Sequence, residues 1–322
     1  TEIRVSDPRL FRLKTGRYRD KNEDIGICAL GPDGRPDWSR SEQVQLVAVD
    51  IRKETITVRR GCYGTKPRAF RAGQAYAAAH VHEGPWGRRS NLMWFYNYST
   101  RSPRDGRGRR CADVLVEDIA RRFEKGGELD AFDGIEFDVL HYRVSGRGRR
   151  GPDCDADGHR DDGIFGGVNT YGIGVVEFCR ALRKRLGDRK LILADGMSLN
   201  NQRAFAILNG IESEGWPHLS DPAANDWSGG LNRHFFWLRN AHRPVFNYVN
   251  HKFVRPSGKP GVVMRPKVGF NIHRLVFAAA VFTDSAICYS YAPPKAPDEL
   301  IGIWDELVEG AERRLAWLGR PL

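Results

Sequence analysis

Residues 132–142 read FDGIEFDVLHY, a stretch that combines the pattern of a buried β-strand with several carboxylates. Side chains alternate between the two faces of a strand, so Glu136 and Asp138 share one face while Ile135 and Phe137 share the other. Because an unpaired carboxylate is costly to bury, acidic residues in an apolar strand indicate a partner or a functional role. The stretch therefore predicts a strand with one face packed in a core and the other lining a site.

Other apolar runs resemble this strand, and amphipathic helical patterns lie between several of them. Strands are predicted at 75–81, 92–99, 132–140, 190–196, 210–216, 244–250 and 285–291. Helices are predicted at 111–126, 174–187, 271–283 and 300–319. Sustained alternation of strands and helices is typical of parallel strands joined by crossover helices. We therefore expect residues 76–322 to form a (β/α)8 TIM-type barrel, with an open doubly wound sheet as the alternative.

Residues 1–75 follow a different pattern. Two alternating runs, 44–50 and 55–61, flank a short polar turn and predict a β-hairpin. This segment is expected to be an N-terminal extension of the barrel or an insertion in one of its early loops.

The composition indicates a folded protein with a basic surface. The chain has 322 residues, 41% of them hydrophobic, and a formal net charge of +11. Such a charge favours an anionic partner, and an acidic polysaccharide fits because guanidinium pairs well with carboxylate. No nucleic-acid-binding motif accompanies the charge, and the apolar runs are too short for a membrane span.

The cysteines and the first residue bear on where in or outside the cell the protein is located. Six Cys are scattered without CxxC or zinc-ligand spacing, so they do not decide between disulfides and buried thiols. The chain starts at Thr1 without a leader pattern, which is typical of a mature or trimmed chain. We expect a secreted or extracellular location rather than a cytoplasmic one.

Carboxylates recur where the predicted strands end. In a parallel barrel the active site is built at the C-terminal ends of the strands. Asp195 and Glu212 join Glu136 and Asp138 there, giving four candidate catalytic residues. Glycoside hydrolysis needs two carboxyl groups, and aromatic or polar side chains bind the sugar. The candidates for substrate binding are Glu214, Trp216, Asn247, His251, Tyr289, His80 and His82.

An acidic loop follows the strand at 132–140. Asp153, Asp155 and Asp157 alternate and precede Gly158, which is the first half of an EF-hand-type calcium loop. Ile164 stands where the final Glu of that motif is expected, so the loop departs from the EF-hand pattern. We expect a structural Ca²⁺ ion held by Asp153, Asp155, Asp157, the His159 carbonyl, and Asp161 or Asp162.

Three stretches resemble one group of proteins. FDGIEFDVL, DCDADGHRDDGIFGGVNTYGIGVVEFCRALR and ILADGMSLNNQRAFAILNGIESEGWP are similar to segments of glycoside-hydrolase-like TIM barrels from bacteria and phages, a largely uncharacterised family. The resemblance covers residues 90–320 and implies a barrel with its active site at the strand ends. It places catalytic candidates at Glu136 or Asp138, with Asp195 and Glu212 as partners. ITVRRGCYGTKPRAFRAG also resembles short β segments of phage tail proteins.

Three functions are compatible with these patterns. A glycoside hydrolase that cleaves a polysaccharide is the leading hypothesis. A non-catalytic carbohydrate-binding or phage-tail-associated barrel would use the same carboxylates only to hold sugar hydroxyls. A metal-dependent hydrolase would bind its ion through Asp138, Asp195, Glu212 and His251. Two carboxyl groups in opposed environments across one cleft would favour the first hypothesis.

Overall fold

The structure, a computed structural model, describes two compact units of the chain. The described residues are 1–15, 21–85, 90–144, 151–196, 203–214, 216, 224–251 and 270–289. The first unit comprises Thr1–Asp130 and His141–Arg185, and the second comprises Ala131–Leu140 and Leu186–Leu322. The predicted helix at 300–319 lies outside the described residues.

The elements are numbered in chain order. The strands are β1 (Glu2–Arg4), β2 (Asp24–Leu30), β3 (Pro36–Asp50), β4 (Thr55–Arg59), β5 (Ala75–Ala79), β6 (His82–Glu83), β7 (Met93–Trp94), β8 (Gly134–Phe137), β9 (Ile164–Phe165), β10 (Val168–Asn169), β11 (Leu191–Asp195), β12 (Gly210–Glu214), β13 (Asn247–His251) and β14 (Ser285–Tyr289). The helices are a short 3₁₀ turn at Pro8–Leu10 and α1 (Cys111–Phe123), α2 (Thr170–Leu186), α3 (Ala224–Asn240) and α4 (Phe270–Phe282). Within this part of the chain, no helix has the length and apolar character needed to cross a membrane.

The first unit is built on an antiparallel sheet in the order β1-β4-β3-β2-β5. β3 and β4 form the hairpin that the alternation at 44–50 and 55–61 indicates. Alternate residues of the central strands point into one core, so the period-2 pattern of the sequence becomes a buried apolar layer. That core contains Phe11, Ile25, Ile27, Val44, Leu46, Ile56 and Val58.

The second unit is built on a parallel sheet in the order β8-β11-β12-β13-β14, so spatial neighbours are also consecutive in the chain. Asp195 pairs with Glu212, Glu212 with Tyr248, and Asn250 with Cys288. Paired residues point to the same side of a sheet, so these polar side chains share one face. The other face is covered by α3 and α4, with Trp216, Val249, Val276 and Ala279 in its core.

The predicted (β/α)8 barrel is wrong. The described residues contain a five-stranded antiparallel sheet, a five-stranded parallel sheet and four α-helices, which is too few helices for eight βα units. Two predicted barrel strands are antiparallel instead: β5 pairs with β2, and β7 pairs with β6. The error arose because short apolar runs look alike in parallel and antiparallel sheets. The chain-order arrangement also differs from a doubly wound sheet, whose strand order reverses.

Helix α3 was not predicted from the sequence. Two adjacent glycines, Gly229 and Gly230, disfavour a helix when propensity alone is considered. A Cβ atom at position 230 would collide with the Trp216 indole ring. The glycine therefore lets α3 approach Trp216 closely, and tertiary packing overrides the local propensity.

Candidate active site

Three carboxylates from neighbouring parallel strands converge in the second unit. Glu136 lies on β8, Asp195 ends β11 and Glu212 lies in β12. One oxygen of each lies within 4.8 Å of an oxygen of both others. At this spacing the negative charges repel strongly, so a shared proton or a cation must offset the repulsion. The sequence predicted all three as catalytic candidates, and the structure brings them together.

Glu136 is the carboxyl most strongly perturbed in this cluster. Burial, with the charges of Glu212, Asp195 and Asp138 acting in the same direction, raises its pKa from 4.5 to about 8. Its Oε1 atom is buried and accepts no hydrogen bond from the described residues. Glu136 therefore carries a proton at neutral pH, which makes it a proton donor next to two other carboxyl groups.

Glu212 has a donor that Glu136 lacks. The side-chain amide of Asn250 on β13 donates a hydrogen bond of 2.6 Å to Glu212 Oε1. Burial raises the pKa of Glu212, whereas the Asn250 hydrogen bond lowers it. Two neighbouring glutamates thus have different environments, because an amide stabilises the charge of one of them.

Asp195 is held by the backbone just beyond β8. The Val139 amide donates a hydrogen bond of 2.8 Å to Asp195 Oδ2. Val139 has φ of +59°, a conformation that is unusual for a β-branched residue. This strained turn aims a backbone donor at the end of β11, and such strain clusters at functional sites.

Tyr248 and Cys288 complete the polar face, and the sequence did not single them out. Burial raises the pKa of Tyr248, and the charges of Glu136 and Glu212 add to this effect. Burial also raises the pKa of Cys288, again with contributions from Glu212 and Glu136. Both groups therefore stay neutral beside the carboxyls. Counting alternate residues from Glu212 across the register would have identified them, but the register was unknown.

Asp138 and Glu214 lie at the edge of the cluster. Asp138 follows β8 and is exposed, and its charge acts on both Glu136 and Glu212. Glu214 ends β12, is half-buried and pairs in register with Asn250. Neither carboxylate belongs to the group of converging oxygens.

Four other candidates for substrate binding lie elsewhere in the second unit. Asn247 is buried, and its Oδ1 accepts a hydrogen bond of 3.0 Å from the Ile211 amide, so it joins two strands. Trp216 is buried in the core beneath α3, where its ring lies 5.3 Å from that of His234. His251 and Tyr289 pair in register, but their side chains lie outside the described residues.

His80 and His82 belong to the first unit. The His80 ring stacks on Trp94 at 4.0 Å and makes a hydrogen bond of 2.6 Å with Gln43. Burial lowers the pKa of His80 to about 4, so it is neutral at physiological pH. His82 is buried, and its Nε2 lies 3.5 Å from the Thr15 hydroxyl. These contacts hold the His80 ring in place, whereas His82 Nδ1 is buried and makes no hydrogen bond with the described residues.

A second acidic cluster lies in the loop before β9, in the first unit. Oxygens of Asp153, Asp155 and Asp161 lie within 4.8 Å of one another. Asp153 accepts hydrogen bonds from the Asp157 and Gly158 amides at 3.2 and 2.9 Å. Asp155 Oδ1 is buried and accepts no hydrogen bond from the described residues. Three hard oxygen ligands with one unsatisfied atom fit Ca²⁺.

The side chains of Asp157 and Asp162, two other predicted calcium ligands, are not part of this cluster. Asp157 accepts a hydrogen bond of 2.8 Å from the His159 amide, and both residues are exposed. Asp162 forms an ion pair of 2.8 Å with Arg160. Asp161 accepts from the Cys154 amide at 2.7 Å, which closes the loop. The loop therefore offers fewer side-chain ligands than its sequence indicates.

The two clusters differ in the chemistry that they can perform. The carboxyls on the strands can donate and accept protons, because Glu136 is protonated beside groups that can be ionised. The loop carboxylates can bind a cation and order the backbone. Comparisons with known proteins assign neither role: no model of a protein family, no curated protein and no solved structure matches the chain.

Proposed function

We propose that the protein is a glycoside hydrolase that cleaves a polysaccharide, with its active site on the polar face of the parallel sheet. The observation that carries the proposal is the convergence of Glu136, Asp195 and Glu212 on one face of the sheet, where the pKa of Glu136 is raised to about 8. Glycoside hydrolysis needs one protonated and one ionised carboxyl group at the same bond. Buried carboxyls in different environments meet that need at neutral pH.

The roles follow from the protonation states. Glu136 protonates the glycosidic oxygen as the bond to the anomeric carbon breaks, and either Glu212 or Asp195 serves as the second carboxylate. Inverting enzymes separate their two carboxyl groups by roughly 6.5–9.5 Å to admit a water, whereas retaining enzymes keep them about 5 Å apart. Oxygens within 4.8 Å favour retention, in which the second carboxylate attacks the anomeric carbon directly.

The charge of the chain does not by itself select the substrate. Several arginines are already neutralised by nearby carboxylates: Arg109 pairs with Asp105 and Glu117, and Arg122 pairs with Asp118 and Glu128. An acidic glycan remains part of the proposal, and neutral glycans belong in the same test.

The decisive experiment is sugar release from a panel of neutral and acidic polysaccharides. The wild-type protein is compared with Glu136→Gln, which keeps the shape of the side chain but removes the ionisable proton. Glu128→Gln, an exposed residue of the first unit, is the matched control. We expect release by the wild type and the control and a loss of about 10²–10⁴-fold in Glu136→Gln. Equal release by all three would contradict the proposed site.

A carbohydrate-binding protein without catalysis is the main alternative. It would bind a glycan from the panel, measured by calorimetry, while neither the wild type nor any variant releases sugar. The metal-dependent hydrolase is the second alternative: Asp195 and Glu212, two of its four predicted ligands, converge with Glu136 in a group that could hold an ion, whereas Asp138 lies outside that group.

We propose in addition that the loop cluster binds a structural Ca²⁺ ion through Asp153, Asp155 and Asp161. The support is the convergence of their oxygens and the unsatisfied Oδ1 of Asp155. Carbonyl groups and water would complete the six to eight ligands that calcium prefers.

A further inference from the structure

Asn250 distinguishes two otherwise similar glutamates. Its Nδ2 atom can only donate, and it lies 2.6 Å from Glu212 Oε1. A hydrogen bond donated to a carboxylate favours the ionised form. Glu136 Oε1 is buried without such a donor among the described residues.

The position of Asn250 follows from the register of the sheet. Tyr248 pairs with Glu212, and Asn250 is the next residue of β13 on the same face. The amide therefore approaches Glu212 diagonally from the neighbouring strand, on the side of the strand ends. β8, which carries Glu136, is separated from β13 by two strands, β11 and β12, so Asn250 can serve one glutamate and not both.

We propose that Asn250 is a positioning residue that keeps Glu212 as the ionised carboxylate and thereby leaves the proton on Glu136. The proposal rests on the glycoside hydrolase function proposed above, to which it adds the assignment of the nucleophile. Glu212, oriented by Asn250, attacks the anomeric carbon, and Glu136 gives its proton to the leaving oxygen. Water then attacks the anomeric carbon, the bond from that carbon to Glu212 breaks, and Glu136 takes a proton from the attacking water.

Other ionisable groups lie near Glu212 on the neighbouring strands. They are Glu136 and Asp138 from the β8 segment, Asp195 from β11, Tyr248 from β13 and Cys288 from β14. Asp138 and Asp195 raise the pKa of Glu212, whereas the Asn250 hydrogen bond lowers it. Without the amide, this hydrogen bond no longer offsets the rise in the pKa of Glu212 that Asp138 and Asp195 cause.

The first arm of the test does not depend on activity. Protein labelled with ¹³C at the glutamate carboxyl carbons is followed by NMR as the pH is changed, and the two signals are assigned by their loss in Glu136→Gln and Glu212→Gln. Asn250→Leu removes the donor with little change of size, and Asn250→Gln retains an amide. Asn240→Leu removes a similar hydrogen bond at the exposed end of α3 and is the control.

We expect the wild-type Glu212 signal to be ionised at neutral pH while that of Glu136 is protonated. In Asn250→Leu the Glu212 midpoint should rise by about 1–2 pH units, since a hydrogen bond to a charged group contributes this much. Asn250→Gln should recover part of the shift, and Asn240→Leu should show none. If Asn250→Leu does not fold, Asn250→Ala takes its place. An unshifted Glu212 midpoint, or a proton on Glu212 in the wild type, would overturn the proposal.

The second arm measures kinetics on the glycan that the wild type cleaves. Asn250→Leu should lower kcat by about 10–100-fold with little change in KM, because the lost interaction acts on the reacting carboxylate. An unchanged kcat would overturn the role of Asn250 and leave the hydrolase intact. Conversely, if no glycan is cleaved but the NMR shifts occur as expected, the hydrolase proposal fails and the assignment of the proton stands.

Discussion

The two acidic clusters contain three carboxylates each, but they satisfy those carboxylates in different ways. In the loop, Asp153 and Asp161 accept hydrogen bonds from backbone amides. On the strands, Glu136 and Glu212 face each other, and burial raises the pKa of both. Backbone amides surround the loop carboxylates, whereas the strand carboxylates lie close enough to raise one another's pKa and to share a proton. The surroundings of an acidic residue, rather than its presence, indicate what it does.

Substitution of Glu212 should have the largest effect. Glu212→Gln removes the charge that the proposed reaction uses while preserving the Asn250 contact through an amide oxygen. We expect sugar release to fall by about 10²–10⁴-fold with an unchanged circular dichroism spectrum. The exposed Glu54→Gln is the control. Full activity in Glu212→Gln would show that the strand cluster is no more catalytic than the loop cluster.

Calcium should stabilise the protein through the loop cluster alone. A ligand present at about 100 times its Kd stabilises the folded state by about 2.7 kcal/mol. We therefore expect a chelator to lower the melting temperature of the wild type and to leave Asp155→Asn almost unchanged. Calorimetric scans with and without calcium measure this effect. If neither calcium nor the chelator changes the melting temperature of the wild type, the proposed calcium site is contradicted.

The strand cluster should make stability depend on pH. The pKa of Glu136 is about 8 in the folded protein and near 4.5 when unfolded, so the folded state holds a proton that the unfolded state releases. Stability therefore falls as the pH rises from about 4.5 to 8 and levels off above that range. In Glu136→Gln this fall should be smaller, with a difference in melting temperature of roughly 2–5 °C at the alkaline end.

Melting curves of both proteins across this range provide the test. Because the other titrating groups are common to both, the difference between the two curves isolates Glu136. Parallel curves would show that Glu136 titrates normally, as an ordinary surface carboxylate does.

Relief of the strain at Val139 should have the smallest effect. A left-handed conformation costs a β-branched residue about 1–2 kcal/mol, whereas glycine adopts it freely but loses more entropy on folding. Val139→Gly should therefore change the free energy of unfolding by less than about 1 kcal/mol, in the stabilising direction. Denaturant titration measures it, with Ile135→Val on the same segment as a control for lost side-chain volume. A destabilisation larger than that of the control would show that the Val139 side chain matters more than its backbone.

The strands and the central carboxylates could be predicted from sequence, and their partners could not. Apolar runs ending in acidic residues located β8, β11 and β12 together with Glu136, Asp195 and Glu212. Asn250 was missed because β13 begins at Asn247, three residues after the predicted start, and the register alone shows which alternate residues face Glu212. The barrel was wrong for a related reason, since an apolar run does not specify the direction of its neighbour.

Strand β12 carries a residue of the candidate active site and a residue of the packed core next to each other. Glu212 belongs to the carboxyl cluster, while the Ser213 hydroxyl lies 2.8 Å from His234 Nε2 beneath α3. The same imidazole reaches the Ser285 hydroxyl on β14 at 2.8 Å through Nδ1. A slip of one residue during folding would place a carboxylate against this buried histidine and a serine in the cluster. The hydroxyl–imidazole–hydroxyl bridge therefore favours the register in which Glu212 faces the carboxyl cluster.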